Sequence, residues 1–293
     1  MIKCMATDMD GTLLNGKMEV SEENRRAVKA AQAEGIEVVV ATGRSYVEAR
    51  YALDQADIHC PIICANGAEI RDVSGEVMNH FFIEKETAAR IFQMLKEIGL
   101  YFEIHTAKGT LTDDYDKALD IMVNIFLTAH SEIPQDQIRE AAKIRFTKGL
   151  LQLVDSYEEV IYDEDTAVYK FLAFSFEKEK LDEAKKQLAL IQGLAISSSG
   201  SENIEITHSD AQKGIALEQF IKEKGITLEE TMAIGDNFND VSMLERVGFP
   251  IAMGNANQEV KELCNYVTAT NDENGVAAAI ERLIGVKNHE NFS

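Results

Sequence analysis

A parallel α/β sheet carrying an inserted α+β domain is the fold class the sequence predicts, and three observations predict it. Short apolar runs recur towards both ends of the chain, at residues 2–6, 36–41, 61–65 and 231–235, and they have the length and composition of strands buried on both faces. Segments of helical period separate them. Between residues 84 and 207 the grammar changes to strands that alternate apolar and polar side chains, as in LYFEIHT and ENIEITH, which suits an antiparallel or mixed sheet with helices on one face. The expected domains are a core from residues 1–83 and 208–293 and an insertion from 84–207.

In chain order, the opening stretch MIKCMATDMDGTLL is a strand whose apolar residues Ile2, Cys4, Met5 and Ala6 give way to Asp8, Asp10, Gly11 and Thr12. Ser21 is the expected cap of a helix with Glu22 and Glu23 in its first turn, Ala27, Val28, Ala30 and Ala31 inward, and a stop at Gly35. A second strand over 36–41 completes a βαβ unit, which is parallel and right-handed in almost all cases. Thr42, Gly43 and Arg44 then emerge at the same sheet edge as the two acids. A helix over 46–55, a strand PIICA ending at Asn66 and Gly67, and a hairpin turning at Ser74-Gly75 follow.

The insertion opens with the helix KETAARIFQMLKEIG, a strand, a turn at Lys108-Gly109 and a further strand. The stretch that follows, to about Val160, is mostly helical in period, with a break at Pro134, and YKFLAFSF, a helix, GLAISSS and ENIEITH complete it. Buried-strand grammar then returns. Lys213 opens a helix, TMAIG is a strand ending at Asp236, GDNFND forms a loop leading into a helix, and PIAMGNA, VKELCNYV, YVTA and GVAAAIERLIG alternate strand and helix to the end.

With 293 residues, 45% hydrophobic and 27% charged, the chain has the composition of a globular protein with room for two domains. Its 29 basic and 50 acidic residues give a formal charge of −21, which argues against nucleic acid or an anionic membrane as partner. No apolar run reaches the ~18 residues of a membrane span and no signal-peptide core precedes Asp8, so a cytoplasmic protein is expected, and a monomer is preferred. Cys4, Cys60, Cys64 and Cys264 lie in or beside apolar runs without CxxC spacing and read as reduced, packed thiols.

Strand ends are where open parallel sheets collect their reactive groups. Here four are expected to deliver Asp8 with Asp10, Thr42 with Gly43, Lys213, and Asp236 with Asn239 and Asp240. Acids so placed call for a hard divalent cation, most simply Mg²⁺. The chemistry that uses the whole set is phosphoryl transfer through a carboxylate. Asp8 attacks phosphorus, and Asp10, two residues on along extended chain and so on the same side, serves as acid and base. Mg²⁺ is expected on Asp8, Asp236 and the backbone carbonyl of Asp10. Thr42, Lys213, Asn239 and the N–H groups of Met9 and Gly43 hold phosphate oxygens, and Asp240 supports Lys213 or the metal from behind. Arg44, Asn66 and Glu69 are candidates for substrate contact.

These residues resemble the haloacid dehalogenase superfamily, and within it the Cof-type phosphatases, through DMDGT, VVVATGR, Lys213 followed by Gly214, and GDNFND, in that order over essentially the whole chain. The resemblance implies a Rossmann-like core with an α/β cap (of the C2B type) inserted between the Thr and Lys motifs. It also implies a Mg²⁺-dependent phosphatase of small phosphorylated metabolites, with Asp8 as nucleophile and Asp10 as acid/base. A phosphomutase or phosphotransferase would use the same aspartyl phosphate. A phosphorylated signalling receiver would need neither Asp10 nor an insertion of this size.

Overall fold

The computed structural model describes residues 1–129 and 135–284. The chain divides into two compact units, residues 1–81 with 210–293 and residues 82–209.

The first unit begins β1 (Cys4–Thr7), α1 (Glu22–Ala33), β2 (Glu37–Ala41), α2 (Tyr46–Gln55), β3 (Ile62–Cys64), β4 (Glu69–Arg71) and β5 (Val77–His80). The second contains α3 (Lys85–Ile98), β6 (Tyr101–Thr106), β7 (Gly109–Thr112), α4 (Tyr115–Ala129), α5 (Gln135–Thr147), β8 (Leu151–Leu153), α6 (Tyr157–Tyr162), β9 (Val168–Phe174), α7 (Lys178–Leu188), β10 (Leu194–Ser197) and β11 (Asn203–His208). The first unit resumes with α8 (Lys213–Glu223), β12 (Thr231–Gly235), α9 (Val241–Leu244), β13 (Phe249–Ala252), α10 (Gln258–Glu262), β14 (Tyr266–Val267) and α11 (Gly275–Ile284). The expected break at Pro134 lies outside the described residues.

Strand order in the first unit is β14-β13-β12-β1-β2-β3-β4-β5. The strands from β14 to β3 are parallel. Their side chains, among them Met5, Val39, Ile63, Ile234 and Ile251, are buried because helices cover the sheet, and this is why the sequence shows unbroken apolar runs rather than alternation. Ser21 caps α1 through its hydroxyl, which accepts the Asn24 N–H. The hairpin β4–β5 departs from a purely parallel sheet. It adds to the free edge of β3 in antiparallel register, Ile62 opposite Arg71 and Cys64 opposite Glu69. Central β1 lies between β2 and β12, so the direction in which strands are added reverses there, and the gap beyond the ends of β1 and β12 is a topological switch point.

The second unit is a mixed sheet in the order β10-β11-β9-β6-β7-β8, antiparallel except for β7 against β8. One face carries Phe102, Ile104, Phe171, Ala173, Ile204 and Ile206, packed with side chains of α3, α6 and α7. The alternation expected from the sequence is present, but the opposite face is not solvated. Glu103, His105, Thr110, Thr112, Lys170, Glu205 and Thr207 are all buried. Two pairings offset the cost of burying charge there: Arg145 of α5 grips Glu103 with two bonds of 2.9 Å, and Lys170 lies 3.6 Å from Glu205. Among the described residues no helix is long and apolar enough to cross a membrane.

Candidate active site

The parallel register sets Thr7 beside Ile234, and the Asp8 N–H donates to the Ile234 carbonyl at 2.9 Å, so Asp8 and Asp236 leave the sheet side by side. Lys213 joins them from the start of the helix it was expected to open. It is the first residue of α8, not the end of a strand of the core sheet, and its side chain is fully buried. Its Nζ donates to Asp8 Oδ1 and to Asp240 Oδ1, both at 2.6 Å. Asp240 in turn accepts the N–H groups of Asp236 and Asn237 on Oδ2, at 3.0 and 3.1 Å, which folds the GDNFND loop around its own carboxylate.

Two glycines make this closeness possible. A Cβ on Gly214 would sit 1.9 Å from the Ser242 carbonyl oxygen, and one on Gly235 would sit 2.6 Å from the Asp240 Cβ. The Gly214 N–H also donates to Ser242 Oγ at 3.0 Å. Glycine therefore lets α8 and the loop after β12 approach until Lys213 reaches both acids.

Carboxylate oxygens of Asp8, Asp236 and Asp240 lie within 4.8 Å of one another. Burial and the Asp240 charge drive the Asp8 carboxyl well above the usual carboxylate range, with Lys213 opposing them. Burial, and then Asp240, push Asp236 up to about 7, while the Thr12 hydroxyl, donating to its Oδ1 at 3.0 Å, pulls the other way. Burial works against the charge on Lys213, but Asp240 and Asp8 outweigh it and hold the ammonium above its ordinary value. Three carboxylates against one ammonium leave negative charge that this cluster does not neutralise.

The side chain of Asp10 is directed otherwise than expected. The strand ends at Thr7, and residues 9–13 form a kinked turn with Asp10 at φ −78°, ψ 122° and Gly11 at φ +75°. Alternation along extended chain therefore does not carry across the pair, and the Asp10 carboxylate is not in the Asp8 cluster. Its oxygens instead accept Arg44 Nε and Nη2 at 2.8 and 2.6 Å. Arg44, expected as a substrate contact, is thus engaged by Asp10. Thr42 is fully buried, and its Oγ1 accepts the Arg44 N–H at 3.1 Å. Asn239 Nδ2 donates to Asn66 Oδ1 at 3.3 Å. Glu69 is buried and pairs with Arg71 at 2.8 Å. Met9 is fully buried in the turn after Asp8. Gly43 joins β2 to the Arg44 loop.

Thr12 is the residue that sequence reasoning passed over. It closes the DGT string and could have been found there, because a buried hydroxyl two residues beyond an acid needs an acceptor. Gly11 belongs with it, since a Cβ there would meet Asp236 Oδ2 at 2.5 Å.

Residues 5–280 match the haloacid dehalogenase-like hydrolase family. Phosphatase YwpJ of Bacillus subtilis is 38% identical over 285 residues, 97% of this chain and 100% of that protein. The 5-amino-6-(5-phospho-D-ribitylamino)uracil phosphatase YwtE of the same organism is 38% identical over 284 residues, covering 97% and 98%. Among solved structures, a haloacid dehalogenase-like hydrolase from Bacillus subtilis superposes with a TM-score of 0.88 at 37% identity, covering 96% of this chain and 100% of that one.

Proposed function

The chain belongs to the haloacid dehalogenase-like hydrolases and is a phosphatase of the Cof type, and from that premise we propose a Mg²⁺-dependent hydrolysis of small phosphorylated metabolites through phosphorylated Asp8. The observation that carries this reading is the Lys213 ammonium held at 2.6 Å from both Asp8 and Asp240, beside Asp236. Residues from three separate motifs meet there.

The donor set fits a hard cation. It consists of carboxylate oxygens, and burial first, then the Asp240 charge, raises the proton affinity of Asp8 and Asp236, a repulsion that a cation would relieve. Asp8, Asp236 and the Asp10 carbonyl would hold Mg²⁺, whereas Asp240 is committed to Lys213 and to two N–H groups. When bound, the ion offsets the repulsion between a carboxylate nucleophile and a phosphate dianion.

The protein's own groups then divide the reaction. Lys213 fixes the plane of the Asp8 carboxylate, an oxygen of which attacks phosphorus as the bond to the leaving oxygen breaks. Asp10 gives its proton to that oxygen. To do so it parts from Arg44, which engages both of its oxygens in this structure. Water next attacks the phosphorus of the aspartyl phosphate, the acyl phosphate P–O bond breaks, Asp8 recovers its carboxylate, and Asp10 takes the water's proton. Thr42, Lys213, Asn239 and the N–H groups of Met9 and Gly43 hold the remaining phosphate oxygens.

The second unit is assigned the choice of substrate. The substrate proposed is a small polyhydroxylated phosphate such as a sugar or ribityl phosphate. The ribityl phosphate in the name of the relative YwtE is in line with this. The protein acts on a small molecule, in the cytoplasm, as a monomer.

Phosphate release from a panel of sugar, nucleotide and ribityl phosphates is expected to stop in chelator and return with Mg²⁺. Mg²⁺ should also stabilise the wild type by about 2.7 kcal/mol at one hundred times Kd, seen as a higher melting temperature, and should leave Asp236→Asn unmoved. Full activity in chelator would refute the metal assignment.

A further inference from the structure

We infer that the left-handed turn Ala65-Asn66-Gly67 is a positioning element of this site, and that the Asn66 amide acts on phosphoryl transfer through Asn239. The inference rests on the phosphatase reading above and on Asn239 as a phosphate ligand.

Ala65 and Asn66 have φ of +46° and +60°, and Gly67 follows at +103°. Two consecutive residues bearing a Cβ in this region are costly, and alanine has no polar side chain to compensate locally. Such strain persists only where the surroundings impose it, and it gathers at functional sites.

The surroundings here are three segments of the proposed site. The Ala65 N–H donates to the Arg44 carbonyl at 2.8 Å, and the Asn66 N–H donates to the Thr42 carbonyl at 2.9 Å, so the turn grips the loop after β2. Gly67 lies against the residue before Lys213: a Cβ there would stand 2.5 Å from the Gln212 carbonyl oxygen. Asn66 Oδ1 accepts from Asn239 Nδ2 at 3.3 Å, and the Asn66 side chain is almost fully buried. One turn therefore touches the Thr42 loop, the start of the Lys213 helix and the GDNFND loop, which come from distant parts of the sequence.

The consequence for Asn239 is orientation. An amide has two donor hydrogens on one nitrogen, and spending one on Asn66 fixes the amide plane while leaving the other for a phosphate oxygen. A small misplacement of a phosphate donor costs rate out of proportion to its cost in stability. The turn's backbone bonds to Thr42 and Arg44 are independent of the Asn66 side chain, so the two contributions are separable by mutation.

A double-mutant cycle tests this. Asn66→Gly keeps a left-handed backbone without strain and deletes only the amide. Asn239→Ala deletes the group it is said to orient. We expect Asn66→Gly to melt with the wild type and to lose about tenfold in kcat/KM, and the double variant to be no worse than Asn239→Ala within about twofold. Losses that multiply in the double variant would overturn the inference, as would a lowered melting temperature with unchanged kcat/KM. Asp8→Asn, assayed in parallel, separates the two levels: if it stays active the phosphatase reading itself has failed, and if it is inactive while the losses multiply only the role of Asn66 has.

Discussion

Asp8→Asn is expected to lower kcat by about four orders of magnitude or more while leaving the fold intact. Asparagine has nearly the same shape, and its carbonyl oxygen still accepts from Lys213 at the position Asp8 Oδ1 occupies, 2.6 Å from Nζ. What disappears is the anionic oxygen that would bond to phosphorus. The substitution also removes one of three crowded carboxylates, so the melting temperature without metal should hold or rise. Steady-state phosphate release and a thermal melt on the same preparation check both halves. A variant within tenfold of wild type would remove Asp8 from the mechanism.

Lys213→Met is the second large effect, and it should fall on stability as well as on rate. The ammonium is fully buried and bridges two buried carboxylates. Removing it leaves Asp8 and Asp240 facing each other without a counter-charge, a loss of about 3–5 kcal/mol by analogy with other broken buried pairs. Asp240 should suffer most, because its other oxygen organises the N–H groups of Asp236 and Asn237. Denaturant unfolding in chelator measures the stability term. Turnover at saturating Mg²⁺ should stay depressed by about a thousandfold, since the cation does not replace a donor aimed at Asp8. A wild-type unfolding midpoint would contradict the electrostatic account.

Much of this site was legible in the sequence because parallel strands and their ends have opposite chemistry. Buried strands such as Val38 to Ala41 leave unbroken apolar runs, and the polar strings directly after them, DMDGT and GDNFND, stand out by contrast. The helix at Ser21 was equally readable, since capping is local. What escaped depends on long-range contacts. The orientation of Asp10 follows from where β1 stops pairing, one residue before Asp8, and from Arg44, which lies 34 positions away in sequence. The hairpin at 69–80 was visible as a hairpin, but its addition to the edge of β3 was not. The left-handed conformation of Ala65 runs against its own preference and is held by backbone bonds reaching Thr42 and Arg44. In the second unit alternation gave the two faces of the sheet, but nothing in LYFEIHT shows that Glu103 and His105 are buried.

The measurement that bears most directly on the central claim is a rapid-quench single turnover in Mg²⁺, stopped in acid and followed by mass analysis of the peptide that carries residues 1–14. The account predicts a transient species heavier by one phosphoryl group, located on Asp8, that rises and decays before phosphate release is complete and never forms in Asp8→Asn. Phosphate released with no phosphorylated protein at any time, or a phosphoryl group found on another residue, would contradict it.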